Sequence, residues 1–253
     1  MSPGHETTPS GKPRARALGI PLRGRPAGDN AITDVAGVEV GYTTLLAGEA
    51  APGEEQRTVR TGVTAILPRG RDGVGAACAA GWHCLNGNGE MTGTTWIEET
   101  GALSVPVLIT NTHAVGTCHR GTVDWVVARH PDLAGGWLLP VVGETWDGYL
   151  NDINAASVRP AHAGQAIDAA ASGPVEEGSV GGGTGMSCYA FKGGSGTASR
   201  TVDHGSGVHV VGAFVQANFG RRRELTVAGV HVGPRLATDN PLEERGPAAP
   251  PGA

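Results

Sequence analysis

The sequence has little charge, few aromatic residues and no long apolar run. Charged residues make up 17% of the chain and aromatic residues 4%, and the formal net charge is −5. A negative net charge disfavours nucleic acid as the main partner. Because no run of about 18 apolar residues occurs, we expect no membrane span. The N-terminal residues have no apolar stretch typical of a secretory signal, so we expect a cytoplasmic protein.

The four cysteines form no CxxC pair. We interpret Cys78, Cys84, Cys118 and Cys188 as buried free thiols of a reducing compartment. A nucleophilic Cys118 beside His119 is a weaker alternative, because neighbours in sequence point apart on helices and strands. No HExxH or comparable histidine spacing is present, and we expect neither a metal nor a cofactor. The GxSxG turn of many serine hydrolases is also missing.

Glycine, in contrast, is abundant at 42 of 253 residues, against a usual share of about 7%. Short apolar segments separated by glycine predict many short strands and few helices. Strands and helices do not alternate regularly, which favours a layered α/β protein over βαβ repeats. We predict strands over residues 38–43, 61–68, 73–81, 105–110, 136–143, 196–202, 207–215 and 225–232, and helices over 95–99, 117–130 and 159–172.

The composition divides the chain into three parts. We predict a mobile N-terminal arm over residues 1–28, a single α/β domain over 29–235, and a C-terminal tail rich in Pro, Ala and Gly over 236–253. The one basic cluster, Arg221-Arg222-Arg223, is followed at once by Glu224. We interpret that cluster as a solvated turn.

The most unusual stretch is GGGTGMSCYAFKGGSG, residues 181–196, in which seven of sixteen residues are glycine. Such a stretch forms either a phosphate cradle or the wall of another tight pocket. A phosphate-binding loop requires GxxxxGK[ST], but Lys192 follows Phe191 and precedes Gly193. Lys192 can instead stabilise a developing oxyanion. The alternative is a surface lysine on a turn.

Two further segments carry candidate chemistry. Residues 144–152, ETWDGYLND, follow an apolar segment. Glu144 can bind an ammonium group. Tyr149 can donate a hydrogen bond from its phenol to an oxyanion. Asn218 follows the last residues of another apolar strand and can donate its amide to an oxyanion. The alternatives are a polar turn at Glu144–Asp152 and a structural turn at Asn218.

Several segments taken together resemble the DmpA-type L-aminopeptidase/D-amidase-esterases, which are similar to β-aminopeptidases and nylon-oligomer hydrolases. The segments are GDNAITDVAGVEVGYTT, NGNGEMTGTTWIEETG, ITNTHAVGT, ETWDGYLNDIN, GGGTGMSCYAFKGGSGTASR and VQANFG. They are distributed from about residue 14 to residue 235, a range that is most of the chain. The resemblance implies a four-layer α/β/β/α sandwich, also similar to ornithine acetyltransferases.

The resemblance also implies a precursor that cuts itself into an α chain and a β chain. The new N-terminal Ser or Thr of the β chain is then the nucleophile. The present sequence resembles the α chain, with Ala253 at the processing end, although Gly or Asn is frequent there in the family. The expected partners are the β chain, in a tetramer of αβ heterodimers, and a small peptide, amide or ester substrate; no nucleic acid or membrane is expected.

Four residues take roles from the resemblance. Tyr149 matches the tyrosine beside the oxyanion, and Asn218 matches the oxyanion asparagine. Lys192 matches a lysine near the nucleophile in nylon hydrolases, and Glu144 matches the carboxylate that holds the substrate amine in β-aminopeptidases. The resemblance therefore predicts a serine-type aminopeptidase or amidase that works through an acyl-enzyme. The alternatives are an acyltransferase of the ornithine acetyltransferase type and a non-catalytic scaffold.

Overall fold

A computed structural model describes residues 3–48, 58–238 and 240. The helices of these residues are α1 (Thr94–Thr100), α2 (Val115–Arg129) and α3 (Pro160–Asp168). The strands are β1 (Glu39–Ala47), β2 (Val59–Leu67), β3 (Cys78–Ala79), β4 (Ala102–Leu103), β5 (Val107–Asn111), β6 (Val141–Thr145), β7 (Ser187–Cys188), β8 (Phe191–Lys192), β9 (Gly194–His204), β10 (Gly207–Ala217), β11 (Thr226–Val227) and β12 (Val230–His231).

A four-stranded sheet in the order β1-β2-β5-β6 forms the centre of the domain. Its strands are antiparallel except for β5 and β6, which run parallel. The parallel register pairs Thr110 with Glu144 and Asn111 with Thr145. Residues at the ends of β5 and β6 therefore lie side by side at one edge of the sheet.

Helices α2 and α3 cover one face of this sheet. Residues of β2 alternate between the two faces, and Val63, Ala65 and Leu67 point towards the helices in the main apolar core, which also contains Val126 and Ile167. The two helices pack closely because Gly121 of α2 has no Cβ. A Cβ at this position would lie 2.2 Å from the main-chain oxygen of Pro160. This side of the sheet is an apolar layer.

The opposite face of the sheet packs against the β9–β10 hairpin. Tyr42 and Ile66 point to this side and pack with Phe214 of β10, and the hydroxyl of Thr64 donates to the Gln216 side chain at 3.1 Å. The described residues thus form three layers, in the order helices, sheet and hairpin. This arrangement supplies three of the four layers that the sequence predicts.

Most predicted elements are present, with three corrections. Residues 73–81 form only the two-residue strand β3, because this run of small residues is largely exposed. The strand predicted over 136–143 begins only at Val141, where pairing with β5 starts, and Trp137 is 78% exposed. Residues 225–232 are a tight hairpin, because Ala228 and Gly229 both have positive φ angles.

Both predicted long helices are present, with different details. Helix α3 ends at Asp168, earlier than the predicted Ser172. The spacing of Val123, Val126 and Val127 in the sequence predicts that these three residues form the apolar face of α2. Val126 is buried, but Val127 is 41% exposed, and the buried face includes Cys118 and Trp125 instead. None of the helices in the described ranges combines the length and apolar character that a membrane span requires.

The described residues of the N-terminal arm contact the domain. The Arg14 guanidinium donates to Glu177 and to the main-chain oxygens of Asn30 and Thr197, and Thr201 N donates to Arg25 O at 2.9 Å. The mobility of the arm stays a prediction. The C-terminal tail begins at a 3₁₀ helix, Gly233–Leu236, and apart from residues 236–238 and 240 it lies outside the described residues.

Candidate active site

The first part of the glycine-rich stretch, Gly181–Gly185, is a buried 3₁₀ turn between the sheet and the hairpin. The backbone N–H of Gly181 donates to the Thr44 hydroxyl at 2.8 Å, and that of Gly182 donates to the Thr64 hydroxyl at 3.2 Å. These amides are satisfied within the protein, so they are not available to hold a phosphate. A Cβ at Gly183 would lie 2.5 Å from Ser195 N, and the turn is therefore a close-packed wall.

Lys192 reaches back to this wall. Its ammonium group donates to the main-chain oxygens of Gly193 at 2.8 Å, Met186 at 3.2 Å and Gly183 at 3.3 Å. It forms no ion pair with a carboxylate of the described residues. Lys192 as a residue is exposed, as expected for a lysine on a turn, but the desolvation of its ammonium group beside these oxygens lowers its pKa. The result is a fixed cation held by neutral dipoles, which can respond to a negative charge that develops nearby.

The turn before Lys192 is in an unusual conformation. Tyr189 and Ala190 both have positive φ angles, 52° and 56°, in the tight connection between β7 and β8 that favours Asn-Gly. Tyr189 N donates to Phe219 O at 2.8 Å, and the guanidinium of Arg222 donates to Ala190 O at 2.5 Å. Contacts from both directions hold this turn in place.

Arg222 corrects the interpretation of the basic cluster as a solvated turn. Arg222 is 6% exposed, and its guanidinium lies 3.9 Å from the centroid of the Phe191 ring. It also donates to Thr238 O at 3.1 Å and Leu236 O at 3.3 Å. Arg222 therefore joins the last described segment of the chain to the β7–β8 turn.

Asn218 lies just after β10 and links two segments of the site. Its Oδ1 accepts from Trp146 N at 2.8 Å, and its Nδ2 donates to Trp146 O at 3.0 Å and to Ser187 O at 3.2 Å. Next to it, the Gln216 amide donates to the Thr145 hydroxyl at 2.6 Å. The end of β10 thus holds the segment that follows β6.

Glu144 lies in β6, at the edge of the sheet where β5 and β6 end side by side. Its Oε2 accepts from the Thr112 hydroxyl at 2.5 Å, and its backbone N–H donates to Glu90 O at 3.1 Å. A Cβ at Gly89 would lie 2.9 Å from Oε1. The exposed glycine-rich residues 86–89 therefore pass close to this partly buried carboxylate.

Tyr149 and Asp147 belong to the turn after β6. Tyr149 is partly buried at the end of that turn, and Asp147 is fully buried. The Leu150 and Asn151 backbone amides both donate to Asp147 O at 3.0 Å. Asn218 therefore holds the turn at Trp146, three residues before the phenol of Tyr149.

An open cavity of about 430 Å³ lies beside Lys192. Its walls are the glycine-rich residues 193–196 and the side chains of Cys188, Phe191, Lys192, Val215, Ala217 and Leu225. The β9–β10 hairpin forms one side, and the strained β7–β8 turn forms another. The cavity is large enough for a small substrate or an inserted peptide segment.

The structure thus brings Asn218 and Lys192 to the same Met186–Ser187 segment, and Asn218 also contacts the segment of Glu144 and Tyr149. The proposed roles of these four residues stay predictions, and Ala253 lies outside the described residues. Sequence reasoning missed Gln216 and Arg222, since neither belongs to a local pattern with a known task. The sequence did contain a signal for Gln216: it lies two residues before Asn218, so the two side chains point to the same face of the strand.

The four cysteine thiols differ in how far they are buried. Cys118 has no exposed surface, and burial raises its pKa to about 12, which disfavours a nucleophilic thiolate. The interpretation of all four cysteines as buried is right for Cys118, wrong for Cys84, which is exposed in the loop before α1, and only partly right for Cys78 and Cys188, which are partly buried. All four are free thiols.

Comparison with known proteins gives a consistent result. The model of peptidase family S58 matches residues 30–246. A β-peptidyl aminopeptidase, BapA of Sphingosinicella microcystinivorans, is 53% identical over 235 residues, which are 92% of this chain and 58% of the relative. BapA of Sphingosinicella xenopeptidilytica is 48% identical over 88% of this chain and 56% of the relative. The chain therefore spans somewhat more than half the length of these relatives.

Solved structures show the same likeness. L-aminopeptidase D-Ala-esterase/amidase of Ochrobactrum anthropi, a serine aminopeptidase with a variant of the Ntn hydrolase fold, superposes with a TM-score of 0.87 at 51% identity, over 92% of this chain and 65% of that one. A Burkholderia sp. β-aminopeptidase gives a TM-score of 0.80 at 49% identity, over 88% and 62%. The predicted α/β sandwich class is confirmed by this likeness.

Proposed function

The chain belongs to peptidase family S58, and from this membership we propose that it is the α subunit of a self-processed aminopeptidase or amidase. Its nucleophile is an N-terminal Ser or Thr of a β chain outside residues 1–253. The chain spans only 58% of the length of the BapA relative, which leaves room for such a chain. The substrate is a small peptide, amide or ester with a free amino group.

The observation that carries this proposal is that the side chains of Lys192 and Asn218 both donate to the Met186–Ser187 segment. Asn218 donates to Ser187 O, and Lys192 donates to Met186 O. The same Asn218 amide holds the Trp146 peptide, next to the turn of Tyr149. An amide donor and an ammonium donor that meet at one backbone segment, with Lys192 also lining an open cavity, are suited to stabilising an oxyanion.

The reaction is acyl transfer to water. The β-chain hydroxyl adds to the substrate carbonyl carbon, and its proton passes to the free α-amino group of the same residue. The carbonyl oxygen becomes an oxyanion, which Tyr149 and the Nδ2 of Asn218 stabilise. For this, Nδ2 exchanges its longer contact, with Ser187 O at 3.2 Å, for the substrate oxygen. When the tetrahedral intermediate collapses, the leaving amine takes the proton from the α-amino group. Water then hydrolyses the ester bond between the acyl group and the β-chain hydroxyl.

Glu144 recognises the free amine of the substrate in this proposal. Its Oε2 is oriented by the Thr112 hydroxyl, while Oε1 faces the close approach of Gly89. A carboxylate that is fixed by one neutral donor keeps its negative charge for an ammonium group. Gly89 has no side chain beside Oε1, where a Cβ would lie 2.9 Å away.

The exposed surface of the β9–β10 hairpin is an argument for a second polypeptide. Val211 and Val215, which share one face of β10, are 58% and 51% exposed. In the described residues, β9 and β10 form a sheet of only two strands, which is rarely stable without further cover. We propose that the β chain packs on this surface as the remaining part of the four-layer sandwich, in a tetramer of αβ heterodimers.

Substitution of Asn218 tests the catalytic part. In protein expressed from the complete gene, Asn218→Ala should lower the turnover of an aminoacyl p-nitroanilide by about 10²–10³-fold, as the loss of one oxyanion donor does. Asn154→Ala, at an exposed position, is the matched control and should keep the activity. Turnover within about twofold of the unchanged protein would contradict the role of Asn218.

A further inference from the structure

Arg222 is a buried cation that joins two segments of the molecule. It is 6% exposed, and its guanidinium donates to the main-chain oxygens of Ala190 at 2.5 Å, Thr238 at 3.1 Å and Leu236 at 3.3 Å. Ala190 belongs to the β7–β8 turn, whereas Leu236 and Thr238 belong to the segment that leads to the end of the chain. Because the guanidinium is planar and its donors form a rigid fork, it fixes these two segments relative to each other.

On one side, Arg222 holds the turn that carries Lys192. Its guanidinium lies 3.9 Å from the centroid of the Phe191 ring, and Phe191 and Lys192 both line the open cavity. Tyr189 and Ala190, the two residues before Phe191, have positive φ angles, which are unfavourable for residues other than glycine. Because Ala190 O is bonded to Arg222, the guanidinium stabilises the turn in this conformation. Arg222 thus fixes the backbone from which Lys192 extends.

On the other side, Arg222 holds the returning chain. The β11–β12 hairpin turns the chain back, so that the backbone amides of Val232 and Gly233 both donate to Leu225 O, at 3.1 Å and 3.0 Å. A Cβ at Gly233 would lie 2.2 Å from Arg222 O, and the 3₁₀ helix that begins at Gly233 therefore packs directly on the Arg222 backbone. Leu225 lines the open cavity, and Asn240 is buried, at 6% exposure. The described part of the tail is therefore fixed next to a wall of the cavity.

In the proposed precursor, self-cleavage needs the tail and the turn together. The side-chain hydroxyl of the residue after Ala253 adds to the Ala253 carbonyl carbon, the peptide C–N bond breaks, and the freed amine takes up the hydroxyl proton. Water then hydrolyses the new ester, so that Ala253 keeps a carboxylate and the β chain begins with a free amino group. An oxyanion forms on the Ala253 oxygen in each step, and Lys192 is a fixed cation at the cavity that can stabilise it.

We propose that Arg222 is a positioning residue for this self-cleavage. It holds the segment that leads through Asn240 towards Ala253 and the turn that carries Lys192 as one unit. Residues 241–253 span at most about 45 Å, so their starting point limits where the Ala253 carbonyl can lie. A start beside the cavity shortens the search for the reactive geometry. The inference rests on the proposed function, because it requires a precursor that cuts itself.

The first experiment follows the cutting of precursor made by cell-free translation of the complete gene. Intact mass measures the cut fraction against time in the unchanged protein, in Arg222→Met and in Arg223→Met, a matched control at an exposed position. Arg222→Met should be cut at least about tenfold more slowly, because misplaced reacting groups lose that much or more. Arg223→Met should be cut at the unchanged rate. An equal rate in Arg222→Met and Arg223→Met would overturn the proposal.

A second variant moves the tail without changing Arg222 or the turn of Lys192. Gly233→Ala places a Cβ 2.2 Å from Arg222 O, which pushes the 3₁₀ helix away from the guanidinium. It should be cut at least about threefold more slowly, whereas Gly116→Ala, with no atom within 4 Å of its Cβ, should be cut at the unchanged rate. If Arg222→Met does not fold, this pair decides, and equal rates in both glycine variants overturn the proposal.

The last measurement separates positioning from a general loss of structure. The kcat for an aminoacyl p-nitroanilide, counted per cut molecule, should stay within about twofold in Gly233→Ala, because the nucleophile is no longer joined to the tail. A fall in kcat as large as the fall in cutting rate would overturn the proposal. An unchanged protein that stays uncut after long incubation would contradict the proposed function itself, whereas normal cutting in every variant overturns the inference on Arg222 alone.

Discussion

The two faces of the central sheet are built in different ways. The side of α2 and α3 is an apolar core in which Val63, Leu108 and Ile167 have no exposed surface. The opposite side carries threonine hydroxyls and the buried glycine turn, with Gly181 and Gly182 bonded to Thr44 and Thr64. The helix face is filled by apolar side chains, whereas the hairpin face combines a smaller apolar cluster with the backbone of the glycine turn.

Because of this difference, the two faces contribute differently to the stability of the fold and to the proposed catalysis. Apolar volume on the helix side contributes to folding, whereas Lys192 and Asn218 belong to the hairpin side. On the hairpin side, close backbone contacts fix the positions of Lys192, Asn218 and the turn of Tyr149. Substitutions on the two faces should therefore change different properties.

The largest loss of stability should come from the helix side. Ile167→Ala removes a fully buried side chain of α3 and should lower the free energy of unfolding by about 2–5 kcal/mol. Denaturant unfolding measures this loss. The kcat of the protein that remains folded should be unchanged, and a drop in kcat of more than about tenfold would break the separation of the two faces.

A somewhat smaller loss is expected for Arg222→Met. The methionine keeps an apolar contact with Phe191, but the main-chain oxygens of Ala190, Leu236 and Thr238 lose their charged donor. The free energy of unfolding should fall by about 2–3 kcal/mol. Limited proteolysis should cut the C-terminal segment faster than in the unchanged protein. The exposed neighbour Arg223 provides the control Arg223→Met, and equal behaviour of both variants would contradict the anchoring role.

The smallest changes come from a pair of glycine substitutions. Gly185→Ala places a Cβ 2.2 Å from Arg60 O and should cost about 1–3 kcal/mol through overpacking, with a fall in turnover. Gly116→Ala, exposed in α2 with no atom within 4 Å of its Cβ, should stabilise the protein by about 0.5–1 kcal/mol. Thermal melts and kinetics on both variants measure the contrast. Normal turnover in Gly185→Ala would show that the glycine turn does not position the site.

The sequence predicted those parts of the fold that local patterns control. Strands β1, β2 and β5, the β9–β10 hairpin and helix α2 were found because periodicity and turn residues mark them. The apolar run GWLLPVVG was overestimated, because a strand needs a partner and pairing begins only at Val141. The Ala228-Gly229 hairpin was missed because alanine rarely takes a positive φ angle.

The candidate site residues were chosen through resemblance more than through local pattern, and their roles stay predictions. Glu144, Tyr149, Lys192 and Asn218 are each unremarkable in local sequence, and only tertiary contacts bring their segments together. The burial of Asp147 and Arg222 was not predictable, because the packing that surrounds them comes from distant segments. Their neighbours include Gly185 and Arg60 in one case, and Ala190 and Thr238 in the other.

The most direct test of the central claim is the intact mass of the protein purified from the complete gene, with N-terminal sequencing of each polypeptide. The account predicts two polypeptides that purify together, one ending at Ala253 and the other beginning with Ser or Thr. Substitution of that Ser or Thr by Ala should leave one uncut, inactive polypeptide. A single uncut polypeptide with full hydrolytic activity would contradict the account.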